Sequence, residues 1–259
     1  MELFDSHAHY DDEKFDEDRD EIIKAIYESG VTKFVSAGYS LESSKKGLEL
    51  AKKYEYIYTT CGISPNDLPE TREELEEQLK QVEEIASNNE KVVAIGEIGL
   101  DYYWNKENKE LQIEAFKKQI EIANRLNLPI QIHTRDAIMD TIEIISNTEF
   151  VRPGIFHCCP QNRDLITAGL KKDFYISFGG PITFKNSKNA DEMLEFIPID
   201  HQLIETDSPY LSPEPNRGKR NDSRNVKYVA EKIANVKNMS IEDVARITYE
   251  NAKRAFDIK

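Results

Sequence analysis

Two histidines separated by one residue close the opening run Leu3-Phe4-Asp5-Ser6-His7-Ala8-His9. In an extended strand residues i and i+2 point to one face, so His7 and His9 can aim two imidazoles at one point. Neutral imidazole is the commonest side-chain ligand for a divalent metal. A lone His-x-His is a weak signal and describes a surface strand equally well. Its weight comes from where the other ligand-type residues stand. The chain has five histidines; His133 ends Leu128-Pro129-Ile130-Gln131-Ile132, and His157 ends Gly154-Ile155-Phe156. Glu97 follows Val92-Val93-Ala94-Ile95-Gly96, and Asp207 follows Leu203-Ile204-Glu205-Thr206. Ligand-type residues therefore recur at the far ends of separate short apolar runs, a placement that scattered surface residues have no reason to adopt.

Four histidines and two carboxylates suit zinc, manganese or a similar ion better than calcium, which takes oxygen ligands. Six ligands exceed the three that a catalytic zinc keeps beside its open position. Two ions sharing a carboxylate fit the number better, since ions about 3.5–4 Å apart can hold a bridging hydroxide and stabilise both attacking and leaving oxygens. Glu97 is the candidate bridge, and Gly96 and Gly99 beside it allow close approach of backbone or substrate. Asp207 could hold one ion and also take the proton from an attacking water.

The elements that must carry these residues alternate along the whole chain. The opening strand is followed by a helix over Asp16–Ser29, with Ile22, Ile23 and Ile26 as its apolar stripe and Gly30 as its stop. Strands are expected over Val31–Ala37, Tyr56–Cys61, Lys91–Ile95, Pro129–His133, through His157, Phe174–Phe178 and Leu203–Thr206. Between them lie helices over Leu41–Tyr54, Arg72–Asn88, Asn108–Leu126, from Thr134-Arg135-Asp136 through Ile145, Asp164–Leu170 and around Asp191–Phe196. Two more close the chain, Val226–Val236 and Ile241–Phe256, the second capped by Ser240. Eight strands alternating with helices predict an α/β fold, a (β/α)8 TIM-like barrel formed by residues 1–259 as one domain. Such barrels place their chemistry at the C-terminal ends of the strands, where all six candidate ligands fall.

The 259 residues carry a formal net charge of -14, from 34 Lys+Arg against 48 Asp+Glu. That balance argues against coating nucleic acid by bulk charge, so an anionic substrate needs a local basic patch or bound metal. Cys61, Cys158 and Cys159 make no disulfide framework and point to reduced thiols and a cytoplasmic location. No secretory signal pattern opens the chain, and no apolar run reaches the ~18–20 residues of a membrane span.

These motifs together resemble the TatD-type metal-dependent hydrolases of the amidohydrolase superfamily, described as deoxyribonucleases. The resemblance rests on Asp5-Ser6-His7-Ala8-His9, Gly96-Glu97-Ile98-Gly99-Leu100-Asp101-Tyr102 and Pro129-Ile130-Gln131-Ile132-His133-Thr134-Arg135-Asp136-Ala137. Phe156-His157-Cys158, Glu205-Thr206-Asp207-Ser208-Pro209-Tyr210-Leu211, Arg217-Gly218-Lys219-Arg220-Asn221 and Asn251-Ala252 extend it from Phe4 to about Phe256. It implies two divalent ions (magnesium, manganese or zinc), one held by His7, His9, Glu97 and Asp207, the other by Glu97, His133 and His157. It also implies cleavage of DNA phosphodiesters, in this family often from the 3′ end. Two loops depart from the pattern. Gly62-Ile63-Ser64-Pro65-Asn66 stands where the family usually has Gly-Val-His-Pro-His, and His157-Cys158-Cys159-Pro160-Gln161 where it has His-Cys-Phe-Ser-Gly. Both loops border the expected substrate pocket, so they bear on which ester or amide is cleaved, an aminoacyl-tRNA among the alternatives.

The remaining candidates are local. Asp101 could orient a ligand histidine or an arginine, or equally cap the next segment. Arg135 and Asp136 start a helix, with a substrate role for Arg135 as the alternative. Arg217, Lys219 and Arg220 form the one concentrated positive charge near the mouth and are the expected phosphate clamp on a DNA substrate. Tyr102, Tyr103 and Trp104 could stack a base or pack as a lid. His201, ahead of the last strand, is expected at the opposite end of the barrel.

Overall fold

The computed structural model describes residues 1–259. The strands are β1 (Leu3–Ala8), β2 (Val31–Ser36), β3 (Ile57–Cys61), β4 (Val92–Asp101), β5 (Ile130–Arg135), β6 (Ile155–Phe156), β7 (Tyr175–Phe178) and β8 (Gln202–Ile204). The helices are α1 (Arg19–Glu28), α2 (Leu41–Lys53), α3 (Arg72–Ser87), α4 (Lys109–Leu126), α5 (Ile138–Ser146), α6 (Arg163–Leu170), α7 (Ala190–Phe196), α8 (Val226–Lys237) and α9 (Ile241–Ala255). The strands pair in parallel in the order β1 to β8. The ring is nearly closed past β8, where Ala8 bridges Ser208 and the Asp207 N–H donates to the His7 carbonyl at 2.9 Å. This is the expected TIM barrel. No helix is long and apolar enough to cross a membrane.

Helix faces follow the apolar spacing. In α9 the buried positions are Val244, Ala245, Thr248, Asn251, Ala252 and Ala255, one stripe at helical period, and the Ser240 hydroxyl accepts from the Asp243 N–H as the expected cap. Phe4, Val93, Ile155 and Leu203, each at the start of its strand, pack with Ala252, Ala255 and Phe256. Apolar side chains thus fill the end of the barrel away from the strand termini that carry chemistry.

Three boundaries differ from expectation by three residues or more, two of them shaping the site. The strand expected to end at Ile95 runs on to Asp101 as β4. Its pairing with β5 shifts register between Ile95 and Ile98, a bulge that re-aims Glu97. Gly99 sits at φ +138, where a Cβ would collide with the His133 carbonyl, so this strand tolerates no side chain there. The long β4 carries β5 with it. Asp101 pairs with Arg135, and the Tyr102 N–H donates to the Arg135 carbonyl at 2.9 Å. Arg135 therefore ends a strand rather than starting a helix, Asp136 adopts a left-handed turn at φ 53, and α5 begins at Ile138. The first helix starts at Arg19 rather than Asp16, because a 3-10 turn capped by Asp12 occupies Glu13–Phe15.

Candidate metal centre

β1 delivers His7, and the residue just past its end is His9. The His9 Nδ1 lies 3.0 Å from the Ala37 carbonyl, an arrangement in which it donates its proton there and leaves Nε2 facing inward. The two Nε2 atoms stand 3.1 Å apart. Glu97 Oε2 is 3.5 Å from the first and 3.7 Å from the second, and Asp207 Oδ1 is 3.6 and 3.3 Å from them. Donors bound ~2.1 Å from one ion sit about 3.0–3.4 Å apart; the His7, His9 and Asp207 donors group within 4.8 Å of one another, near that spacing, and Glu97 Oε2 stands slightly farther off. His7 Nδ1 is buried without a hydrogen-bond partner, leaving its ring otherwise unsatisfied.

The other oxygen of the same carboxylate faces a second pair. Glu97 Oε1 lies 2.9 Å from His133 Nδ1 and 3.3 Å from His157 Nε2. The His7 and His157 rings stack at 3.7 Å, so the two groups abut. His7, Glu97 and His157 donors all lie within 4.8 Å of one another; His133 joins through Glu97 and is turned with its Nε2 3.0 Å from Asp101 Oδ2. Burial raises the Glu97 carboxyl, but the imidazoles of His157, His133 and His7 overcome it and hold the group well below the ordinary carboxylate range. Asp207 is also held low, the His9 hydrogen bond and charge outweighing burial. Burial and the neighbouring His157 push His7 down, toward the neutral form that ligates. Against burial, Asp207 pushes His9 up to about 9 and the carboxylates of Asp101, Glu97 and Glu205 raise His133 and His157, so a cation bound there displaces protons from these rings.

Asp101 both meets a ligand histidine and caps the next segment, and no arginine contacts its carboxylate. Oδ1 accepts from the Tyr103 and Trp104 N–H groups at 2.9 and 3.1 Å, capping the next segment, while Oδ2 meets His133 and accepts from Asn66 Nδ2 at 3.1 Å. Burial opposes its ionisation, yet His133 and Asn66 bring it down to about 2.

Two supporting carboxylates escape the sequence reading. Glu205, fully buried, places Oε1 3.3 Å from His157 Nδ1 and accepts from the Cys158 N–H at 2.6 Å. The one signal in the sequence is its place directly after the apolar run of β8, two residues before Asp207. Asp5, also fully buried, accepts from the Thr206 N–H at 2.9 Å and from the Thr206 and Ser223 hydroxyls, tying β1 to the segment that presents Asp207. Burial pushes the Asp5 carboxyl up to about 7 against these hydrogen bonds. Nothing local in Asp5-Ser6-His7 distinguishes this role.

The ligand-type residues open into a cavity of about 760 Å³ also lined by Tyr39, Ser64, Asn66, Trp104, Arg135 and Tyr210. Arg135 reaches it; the basic loop does not. Arg220 donates to both oxygens of Asp18 at 2.9 and 2.5 Å and to the Lys14 carbonyl, Arg217 lies 4.2 Å over the Phe184 ring, and Lys219 is exposed. The expected clamp residues Arg217, Lys219 and Arg220 thus do not line this cavity, and Arg220 pairs with the carboxylate of Asp18 beside α1. Tyr102 is buried with its hydroxyl donating to Asp140 at 2.7 Å, so it packs rather than stacks. His201 stands ahead of β8 beside Asp200, away from the site as expected. Cys158 lines the cavity, while Cys61 and Cys159 are buried free thiols.

A family model described as TatD related DNase matches residues 4–257. The chain belongs to this family. A relative from Bacillus subtilis strain 168, the uncharacterised metal-dependent hydrolase YabD, is 45% identical over 258 residues, covering 99% of each chain. YcfH of Escherichia coli K12, likewise an uncharacterised metal-dependent hydrolase, is 34% identical and covers 100% of this chain and 97% of its own. The crystal structure of YJJV, a TatD homologue from Escherichia coli K12, superposes with TM-score 0.91 at 24% identity, over 99% of this chain and 98% of that one. At that identity the likeness is one of fold.

Proposed function

We propose that this TatD-type metal-dependent hydrolase is a deoxyribonuclease that trims DNA from the 3′ end, with two divalent ions held by His7, His9, Glu97 and Asp207 on one side and by Glu97, His133 and His157 on the other. The observation that carries the reading is the division of one carboxylate, Glu97 Oε2 facing His7 and His9 while Oε1 faces His133 and His157. The family description supports DNA as the substrate. Bound there, the ions would acidify a water and neutralise charge on a phosphoryl group. Asp207 accepts the proton of the attacking water. Asp101 and Glu205 hold the His133 and His157 rings in place. Arg135, on the cavity wall, offers its guanidinium to a substrate phosphate.

The test is degradation of end-labelled single-stranded DNA by metal-stripped protein, then with magnesium, manganese or zinc restored. Metal-dependent shortening of 5′-labelled strands, lost in Glu97→Ala, is the expected result; intact strands at every metal would refute the reading.

One observation favours a second reading, hydrolysis of another ester or amide such as an aminoacyl-tRNA linkage. Ser64 and Asn66 line the cavity where the family pattern has imidazoles, and both are engaged, Ser64 with Asp67 at 2.6 Å and Asn66 with Asp101. Ester or amide turnover far above nuclease turnover across a substrate panel would decide for it.

A further inference from the structure

We propose that Trp104, carried on the cavity rim with Tyr103 and Arg135, is a stacking platform for an unpaired base of a single-stranded nucleic acid. The proposal rests on the deoxyribonuclease reading and names the subsite that would hold the strand beside the metal centre. Trp104 is 67% exposed and Tyr103 54%, whereas Tyr102, the aromatic before them, is packed away. A lid that merely shielded the core would fold its indole down as Tyr102 does. Trp104 instead lines the same cavity as Glu97, His133 and Asp207.

The rim is held in register with the chemistry. One Asp101 oxygen accepts the backbone N–H groups of Tyr103 and Trp104, and the other meets His133. The two rings stand edge to face, 4.9 Å apart at 89°. The Arg135 guanidinium lies 3.9 Å over the Tyr103 ring and 5.5 Å from that of Trp104. Stacking fixes its plane while its donors serve the cavity it lines, so one small surface offers a π-face for a base and a cation for the adjoining phosphate. Duplex bases are already stacked and paired; an aromatic face on a cavity rim takes an unpaired one, with little sequence preference because every base has a π-face. With Arg220 paired to Asp18 and Arg217 lying over Phe184, neither lining the cavity, this rim is the surface suited to guide the strand.

Trp104 is the chain's one tryptophan, so its emission reports the platform directly. The experiment titrates the metal-loaded full chain with a dye-labelled, phosphorothioate-linked oligothymidylate and with the same strand carrying abasic positions, reading dye anisotropy for binding and tryptophan emission for stacking. The base-bearing strand should quench Trp104 and bind about 5- to 150-fold more tightly than the abasic one. Trp104→Ala should lose that preference, and Trp104→Phe should recover most of it, which a purely structural role would not do. Binding with unmoved emission, or a Trp104→Ala protein that keeps the wild-type preference for bases, would overturn the platform. So would absence of binding by either strand. Trimming of labelled DNA under any of these outcomes would leave the deoxyribonuclease reading standing and remove only the platform. Hydrolysis of bis(p-nitrophenyl) phosphate without any DNA binding would remove DNA as substrate and the platform together, leaving the phosphodiester chemistry.

Discussion

Glu97 and the residues behind the histidines make separable demands. Glu97→Gln keeps the shape but removes the shared charge, and one neutral oxygen cannot face both histidine pairs as an anion does. If the proposed pair of ions binds, metal measured by elemental analysis after gel filtration should fall from two ions per chain to one or none, with activity down by at least about 100-fold. Asp101→Asn and Glu205→Gln leave the ligands and an amide oxygen in place but remove the negative charge beside His133 and His157. Each should lose about 10- to 100-fold in metal affinity or activity, read from metal titrations of stripped protein, with the melting temperature little changed. Had these carboxylates been only structural, stability would fall and metal affinity would hold.

Elements explain why Arg220 lies away from the cavity and why β4 does not end where its apolar run ends. Arg220 is committed to Asp18 across a partly exposed ion pair. Arg220→Ala should cost under about 1 kcal/mol in urea melts, because exposed pairs contribute little, and leave KM for DNA within about twofold. Arg135→Ala should raise that KM by about tenfold or more if its guanidinium meets a phosphate. The extended β4 depends on glycine. Gly99→Ala places a methyl against the His133 carbonyl in a left-handed backbone, so it should destabilise by more than about 1 kcal/mol and misplace His133, seen as a lower urea midpoint and weakened metal binding. Apolar periodicity marks Val92 to Ile95 as strand but is silent on Gly96 to Asp101, since that stretch is held by pairing with β5 rather than by its own alternation.

For the whole molecule, the six candidate ligands come from β1, β4, β5 and the segments following β1, β6 and β8, so ions bound among them would cross-link much of the barrel rim. Stripping metal should lower the melting temperature, and restoring it at about 100 times Kd should return about 2.7 kcal/mol, roughly 5–10 °C for a chain of this size. A scan unchanged by chelation would show that the barrel holds its rim without ions. At the opposite end, Phe256 stacks on Phe4 within the apolar plug, and Phe256→Ala should cost about 3–5 kcal/mol by leaving a cavity there.

Local pattern in the chain encodes the order of elements and the places of the ligand-type residues. Alternating apolar runs and helical stripes specify the repeated strand–helix order, and ligand-type residues at the run ends specify where chemistry gathers, because strand period and residue chemistry need no knowledge of distant partners. The tertiary structure decided the rest through contacts between residues far apart in the chain. Asp5 holds Thr206 across 201 positions, and Arg220 finds Asp18 across 202. Which carboxylate supports a ligand, and which arginine reaches a substrate, depends on distances that exist only once β1 lies beside β8.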